Sequence, residues 1–496
     1  MDAAPAQRAL SNRKQKPPAS QEPFARARPW LVASCALGLG AGFVLASVLS
    51  VTQALALPLG IWWPALVQAH GHMQLFGWAG LLVIGVALHF LPRLRGSPLA
   101  YPGLASWPLA FLAGGLALRV ISQPLLALGA ANASLWRLLL ACAGLAEFLG
   151  ASCIVGLLCL TLARGPSLAS RPALLAFLPY ALVGLLCFWL ALALNAAAGF
   201  WLLQTGQALL PGTADTLTTQ LGLFGFLVPL ALGMAVRVLP LYLGLRPLPA
   251  RVLWPIFSVY VIGLALSLLA LWISGGALAG FFQSGAALLM GSALLTFILF
   301  QGMLLRQRQA RLMVPAVQTQ RVSLPARPYS AAQGNDRAAF GPFAWLIRSA
   351  FGWLALSALA LLVNGATQLA GGFSPISADA IRHATTVGFV MLLIFGVAQR
   401  MLPGFAGGKL RSPQLVTATL WLGSAAAFLR VFPVLVSSWI SALGLPGWVV
   451  PLLRGAFGCS GPLALGALLC FTFNLWSILR GAPRAKAVLS TEDKGA

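Results

Sequence analysis

The segment HMQLFGWAGLLVIGVALHFLPRLRG, residues 72–96, recurs twice without a gap, as QLGLFGFLVPLALGMAVRVLPLYLG at 220–244 and as HATTVGFVMLLIFGVAQRMLPGFAG at 383–407. Each copy has glycine at the fifth, thirteenth and twenty-fourth residue after its first, and Leu-Pro at the nineteenth and twentieth. Proline at a helix exit and glycine beyond it are general stop signals. An ungapped register held in three copies indicates internal duplication instead.

The composition around these repeats is that of a membrane protein. The 496-residue chain is 59% hydrophobic and only 8% charged, too few polar groups for the surface of a soluble globule. Apolar runs of about 20 to 28 residues, enough to cross a bilayer, begin near residues 30, 66, 102, 135, 173, 216, 251, 277, 342, 377, 413 and 451. The repeats fall on the second, sixth and tenth runs. The sequence therefore predicts an all-α polytopic membrane protein with about twelve transmembrane helices in three four-helix repeats.

The net charge of +24 does not indicate nucleic-acid binding, because the cations lie between the apolar runs instead of forming one basic face. Loops with this bias orient helices, and they predict a multi-pass protein of the bacterial inner membrane whose two termini are cytoplasmic. We expect lipid as its partner, and the sequence identifies no electron donor or partner subunit. The predicted segments are a disordered cytoplasmic tail (1–29), helices 1 to 8 (30–304), a cytoplasmic loop (305–341), helices 9 to 12 (342–480) and a cytoplasmic tail (481–496).

Two of the four histidines, His72 and His383, occupy the first position of their repeats, where the middle copy has Gln220. A buried imidazole in a membrane is costly and usually functional, although a lone one is more often a packed core residue. Two at equivalent depth on separate helices are what axial ligation of a haem iron requires. We therefore predict one haem held by His72 and His383, of b-type, and no copper.

The haem carboxylates need partners, and cations are rare in the predicted outer half. Arg119 and Arg430 each lie 27 residues after a repeat proline, inside spans, where an unpaired guanidinium is expensive. Propionate binding is the functional interpretation, and snorkelling or binding to helix carbonyls is the alternative. The predicted cofactor-binding cations are Arg119, Arg430, Arg382 and Arg454.

Three further polar residues lie within or near the predicted spans. On a helix, His70 points about 200° away from His72, so the two cannot chelate one ion, and we expect His70 to face the outer interface. His89 lies about 25 Å further along the helix and is interpreted as a polar anchor at the inner end. Glu147, interpreted as the sole acid within a span, is either a proton-path residue or the partner of an arginine.

Two short motifs carry a family resemblance, HGHMQLFG at 70–77 and HATTVG at 383–388. They resemble the signatures of the NnrS family, polytopic bacterial haem proteins associated with nitric oxide metabolism and nitrosative stress. The chain departs from that family at Met73, where the family usually has Glu, and at Phe405, where it commonly has His. The resemblance implies a haem protein of electron transfer, sensing or protection.

The arrangement also resembles subunit I of the haem-copper oxidases, in which helices 2 and 10 supply the low-spin haem ligands. Catalysis there needs a second haem and a copper held by three further histidines, and only His70 and His89 remain here, at opposite membrane ends. Two alternatives stay open beside an NnrS-like haem protein. One is a divergent haem-copper oxidase or nitric oxide reductase, and the other is a transporter or structural protein without cofactor.

Overall fold

The computed structural model describes residues 22–304 and 341–481, apart from positions 244, 246, 274, 438, 441–443 and 445. Within these ranges there are no strands, and twelve helices are long and apolar enough to cross a membrane. They are α1 (Phe24–Ala54), α2 (Trp62–Arg95), α3 (Pro102–Ala127), α4 (Ala133–Ala163), α5 (Pro172–Thr205), α6 (Gly212–Pro240), α7 (Ala250–Ile273), α8 (Gly276–Gln301), α9 (Pro342–Leu369), α10 (Ala378–Ala406), α11 (Pro413–Ser437) and α12 (Val449–Asn474). The predicted all-α, multi-pass architecture is confirmed.

Eleven helices begin within four residues of their predicted starts, and α1 begins six residues early. The sequence around Pro29 suggested a tail, yet Phe24 and Ala27 are buried in the bundle. The Phe24 ring meets the ring of His89 edge-on, with 5.7 Å between centroids. Packing against α2 therefore extends the helix beyond its apolar run. Most of the predicted tails and of the 305–341 loop, and Gly244 of the middle repeat, lie outside the described residues.

The three repeat helices form the centre of the bundle. In the most apolar window of α2 and of α6, 83% of residues are buried, and in that of α10 72%, whereas the other nine spans range from 33% to 50%. Lipid therefore has little access to α2, α6 and α10. We call these three the inner helices, the end of the bundle at which they begin the upper end, and the opposite end the lower end.

Each inner helix changes its winding at the same repeat position. Segments of π-helix run from Met73 to Gly80, from Leu221 to Leu227 and from Ala384 to Met391. They begin directly after His72, Gln220 and His383, the first residues of the three copies. Such π segments are rare and are frequent at functional sites. Because the three π segments begin at the same repeat position, the duplication is visible in the backbone as well as in the sequence.

Packing repeats in the same way. The glycine at position thirteen of each copy lies against the first helix of its unit, where an added Cβ would meet a side chain at 2.8 to 2.9 Å: Gly85 against Trp30, Gly233 against Tyr180, and Gly396 against Ile347. The third and fourth helices of each unit pack together, and the fourth packs on the first helix of the next. Because α12 packs on α1, the three units close into a ring.

Exposed tryptophans mark two bands on the outer surface. At the lower end they begin α3, α7 and α9, and at the upper end they lie at the end of α7 and the start of α12. The side chains concerned are Trp107, Trp254, Trp345, Trp272 and Trp448. Indole rings favour the two membrane–water interfaces. The bands and the apolar surface between them therefore fit a bilayer around the ring.

Candidate functional site

A cavity of about 400 Å³ lies near the upper ends of α2 and α10, where α1, α11 and α12 close it. Its volume lies within the range of about 300–1,000 Å³ that is usual for cofactor and ligand sites. Gly71 borders open space in it, because an added Cβ there would meet no atom within 4 Å. We call this space the upper cavity. Its walls include His70, Gln74, His383 and Val387.

His70 reaches the upper cavity from α2. Its Nδ1 lies 3.0 Å from the carbonyl oxygen of Gly42, the last residue of a π segment in α1 that begins at Gly38. For a hydrogen bond to form there, Nδ1 must carry the proton and donate it to the carbonyl. Nε2 is then the ring nitrogen with a lone pair, which suits it for binding a metal.

His383 reaches the same cavity from α10, and its Nδ1 is also held. The Asp379 backbone oxygen lies at 2.9 Å and its Oδ1 at 3.1 Å, as the i, i+4 spacing on a helix allows. Ligating histidines commonly donate their second N–H to a carbonyl or a carboxylate, which fixes the tautomer and the ring orientation. Within the described ranges, Nε2 of His70 and of His383 takes part in no hydrogen bond.

Two arginines also line the upper cavity, Arg382 and Arg430. Arg430 Nη2 pairs with Asp379 Oδ2 at 2.9 Å, and its guanidinium lies 4.5 Å from the centre of the Phe457 ring. Arg382 Nη2 is further from the same carboxylate, at 3.9 Å. Arg430 Nη1 is buried and has no hydrogen-bond partner among the described residues. The cavity wall thus carries two guanidinium groups, which suit an anionic group.

His72 turns away from the upper cavity. Its Nε2 lies 2.5 Å from Glu147 Oε2 on α4, and both side chains are buried. The predicted ligand pair of His72 and His383 therefore does not meet in one space, and it is His70 that shares the cavity with His383. His70 was expected to face the outer interface, whereas in the structure it lines the upper cavity.

The threefold arrangement explains why His72 and His383 do not line the same cavity. The first residue of each repeat contacts a polar partner within its own four-helix unit, so the three residues do not converge on one space. The middle copy shows it, because Gln220 Nε2 donates to Ser267 Oγ on α7 at 3.0 Å. Ser267 lies 27 residues after the repeat proline, as do Arg119 and Arg430 in the other two units. Equivalence between His72 and His383 therefore places them in different compartments.

Arg119 belongs to the compartment of His72 and not to the upper cavity. Its Nη1 donates to Asn195 Oδ1 on α5, and Asn195 Nδ2 donates to Glu147 Oε2 at 3.2 Å. We call these four buried residues, His72, Arg119, Glu147 and Asn195, the α2–α5 cluster. Glu147 therefore contacts His72 directly and is linked to Arg119 only through Asn195, and its two predicted roles stay open. Arg454, also predicted to bind the cofactor, is exposed on α12 and does not line the upper cavity.

His89 lies near the lower end of α2, far from the upper cavity. Its ring stacks on that of Phe405 with 4.1 Å between centroids, and its Nδ1 lies 2.9 Å from Arg93 Nη1. Nineteen residues separate it from His70, about 28 Å along a helix. These contacts fit the predicted role of an inner-end anchor.

Two acids of the site, Asp379 and Asp215, were not predicted from the sequence. Asp379 holds His383 and Arg430, and Asp215 on α6 also lines the upper cavity. Both lie in the first turn of a spanning helix, so Glu147 is not the sole acid within a span. Asp379 had a signal, because it precedes His383 by four residues, the distance at which helical side chains meet. Among the described residues, no group of three or more His, Cys, Asp or Glu side chains could hold a metal ion.

Comparison with known proteins shows similarity at the level of fold. No family model and no curated protein matches the sequence. A chain of a haem-copper terminal oxidase dimer, solved by cryo-electron microscopy, has 12% sequence identity and a TM-score of 0.62 over 93% of this chain and 84% of that one. The two chains share a twelve-helix membrane fold. The resemblance to the NnrS family stays a prediction.

Proposed function

We propose that this chain is a membrane haem protein that holds one haem in the upper cavity, with His70 and His383 as its axial ligands. One observation carries the proposal. Two imidazoles from different helices line one cavity, each with Nδ1 engaged by an acceptor and Nε2 without a hydrogen bond among the described residues. Such a pair can bind an iron from its two faces.

Other features of the upper cavity fit the same group. A haem is flat and largely apolar, and it carries two carboxylates. Gly71 and Val387 supply a surface without polar side chains, and Gln74 lies beside them. Arg382 and Arg430 line the cavity and supply positive charge for the two propionates. We propose these two arginines as the propionate partners, in place of Arg119 and Arg454.

A bound haem supplies one-electron oxidation and reduction at its iron. The protein's part is to hold and orient the ligands. Gly42 fixes the tautomer of His70 through a neutral carbonyl, whereas Asp379 places a carboxylate behind His383. A ligand backed by a carboxylate is the more basic of the two. Asp379 also pairs with Arg430, so one carboxylate positions both an axial ligand and a propionate partner.

We propose an NnrS-like role for this haem, in electron transfer or in protection under nitrosative stress, and a b-type haem. The support is the likeness of residues 70–77 and 383–388 to the signatures of that family. We also propose that the upper end faces the periplasm of a bacterial inner membrane. Arginines and lysines concentrate in the loops of the lower end, which is the pattern of cytoplasmic loops.

A second candidate has a specific observation behind it, the fold shared with a haem-copper terminal oxidase. In this reading the chain is a divergent oxidase or nitric oxide reductase that turns over a small gas. Its histidines would then need partners for a second metal, and His72 is already bonded to Glu147. Consumption of oxygen or nitric oxide by purified protein with an artificial electron donor would favour this candidate over an electron carrier.

The direct test of haem binding is the composition and spectrum of purified protein. We expect one haem per chain, with sharp absorption bands in the reduced state and the low-spin spectrum of a haem with two imidazole ligands. His383→Ala should lose haem or become high-spin. His89→Ala is the matched control, because His89 lies at the lower end, and it should keep the wild-type spectrum. Purified protein without haem, after expression with ample haem supply, would contradict the proposal.

A further inference from the structure

Two positions of the repeat meet where the three inner helices approach the lower end. The seventeenth residue after the first of each copy is cation-capable, and these residues are His89, Arg237 and Arg400. The twenty-second is apolar or aromatic, and these residues are Leu94, Tyr242 and Phe405. We call these six residues the lower cap. None of them lines the upper cavity.

The twenty-second position faces the axis on which the inner helices meet. On α10, Ala398 and Met401 line the space between the three helices. Phe405 follows Met401 by four residues, so its side chain lies on the same face of the helix, one turn lower. Leu94 and Tyr242 hold the equivalent places by repeat, and all three side chains are partly buried against the apolar core. They therefore form the last apolar layer above the charged loops of the lower end.

The first contact of the lower cap joins α2 to α10. The rings of His89 and Phe405 are tilted by 31° to each other, with 4.1 Å between their centroids. The ring of His89 also meets the ring of Phe24 on α1 edge-on, and His89 is only 1% exposed. The seventeenth residue of the first copy thus packs on the twenty-second residue of the third copy.

The second contact joins α10 to α6 and uses the same two positions. The Arg400 guanidinium carbon lies 6.0 Å from the centre of the Tyr242 ring. A guanidinium at this distance is attracted to an aromatic ring. Here the seventeenth residue of the third copy meets the twenty-second residue of the second. Continued once more, the same rule joins Arg237 of the second copy to Leu94 of the first and closes the cycle.

We propose that the lower cap is a seal that closes the axis of the bundle to water and ions at the lower end, with Arg237 and Leu94 as its third corner. Every side chain that lines the axis above the cap is aliphatic, aromatic or methionine, so water there finds no polar partner. Arg400 is exposed and presents its charge to the aqueous side, whereas Phe405 lies on the face that turns to the axis. The seal is independent of the haem assignment, because it uses no residue of the histidine site.

A cysteine introduced at residue 398 tests the seal. Ala398 is buried and lines the axis about 10 Å above Phe405. A charged thiosulfonate that does not cross membranes is added to sealed vesicles of either orientation, so the result does not depend on which end is cytoplasmic. Mass spectrometry of the peptide that carries residue 398 separates its adduct from those of the native cysteines. We expect Ala398→Cys to stay unmodified from the lower side, and Ala398→Cys combined with Phe405→Ala to be modified from that side.

Phe473→Ala is the matched control, because Phe473 also contacts a guanidinium at the lower end, with Arg411 Cζ 4.0 Å from its ring centre, but lies outside the lower cap. It should leave residue 398 protected. If Phe405→Ala does not fold, Arg400→Ala takes over the test, since Arg400 is exposed and makes the second contact of the cap. Modification of Ala398→Cys with the cap intact, or equal modification in the Phe473→Ala control, would overturn the proposal. Protection of residue 398 that persists in the cap variant would overturn it as well.

Discussion

Replacing Asp379 by asparagine should raise the midpoint potential of the proposed haem. Asp379 Oδ1 lies 3.1 Å from Nδ1 of His383, and the Asp379 backbone oxygen lies 2.9 Å from the same nitrogen. The negative charge makes the imidazole a stronger donor and favours ferric over ferrous iron. Asp379→Asn keeps the size and the backbone contact but removes the charge. Ferrous haem is then favoured, so the potential rises.

The size of this shift follows from the contact that is weakened. A hydrogen bond to a charged group contributes about 1.5–3 kcal/mol, against about 0.5–1.5 kcal/mol for a neutral one. The difference of about 1–1.5 kcal/mol corresponds to about 40–65 mV for a one-electron couple. Arg430 also loses its carboxylate partner in this variant, and its uncompensated positive charge acts in the same direction.

A spectroelectrochemical titration of purified protein measures the shift. The matched control is Asp215→Asn, because Asp215 lines the same cavity but forms no hydrogen bond to an imidazole among the described residues. It should shift the potential by less. If Asp379→Asn keeps the low-spin spectrum while its potential stays unchanged or falls, Asp379 does not tune His383 as argued here.

Three further predictions test other parts of the account. Reporter fusions after residues 130, 210 and 370 should score periplasmic and those after 97 and 168 cytoplasmic, and two adjacent fusions reading the opposite side would overturn this orientation. Metal analysis of washed protein should find iron at about one per chain and little copper, so stoichiometric copper would reveal a further site. Glu147→Gln should destabilise the protein by about 1–3 kcal/mol, because the buried carboxylate that contacts His72 Nε2 and accepts from Asn195 loses its charge. Its haem spectrum should not change, since the α2–α5 cluster lies apart from the upper cavity, and an unaltered thermal unfolding midpoint would contradict this role.

The sequence predicts the fold well because span length and repeat register are strong signals. Twelve runs long enough for a bilayer become twelve helices, and three ungapped copies become three inner helices with π segments in register. The start of α1 was not predicted, because Phe24 lies before the apolar run and packs against His89.

The site is predicted less completely, for two physical reasons. Repeat equivalence identifies residues at the same position in their units but does not show that they share one space. In the threefold ring, His72 and His383 lie in different compartments. The first turns of α6 and α10 were also hard to separate from loops, because predicted boundaries shift by several residues. Asp215 and Asp379 lie in those turns. The sequence identified the helix and the depth of the histidine that lines the cavity, but selected His72 instead of His70.

A comparison of His70→Ala with His72→Ala tests whether His70 and His383 bind one iron. The two residues are neighbours on α2 but face different compartments. Electron paramagnetic resonance and absorption spectra of the oxidised proteins report the ligands. We expect His70→Ala to lose haem or become high-spin, while His72→Ala keeps the low-spin spectrum with two imidazoles. A wild-type spectrum in His70→Ala, together with loss of the low-spin signal in His72→Ala, would contradict the account.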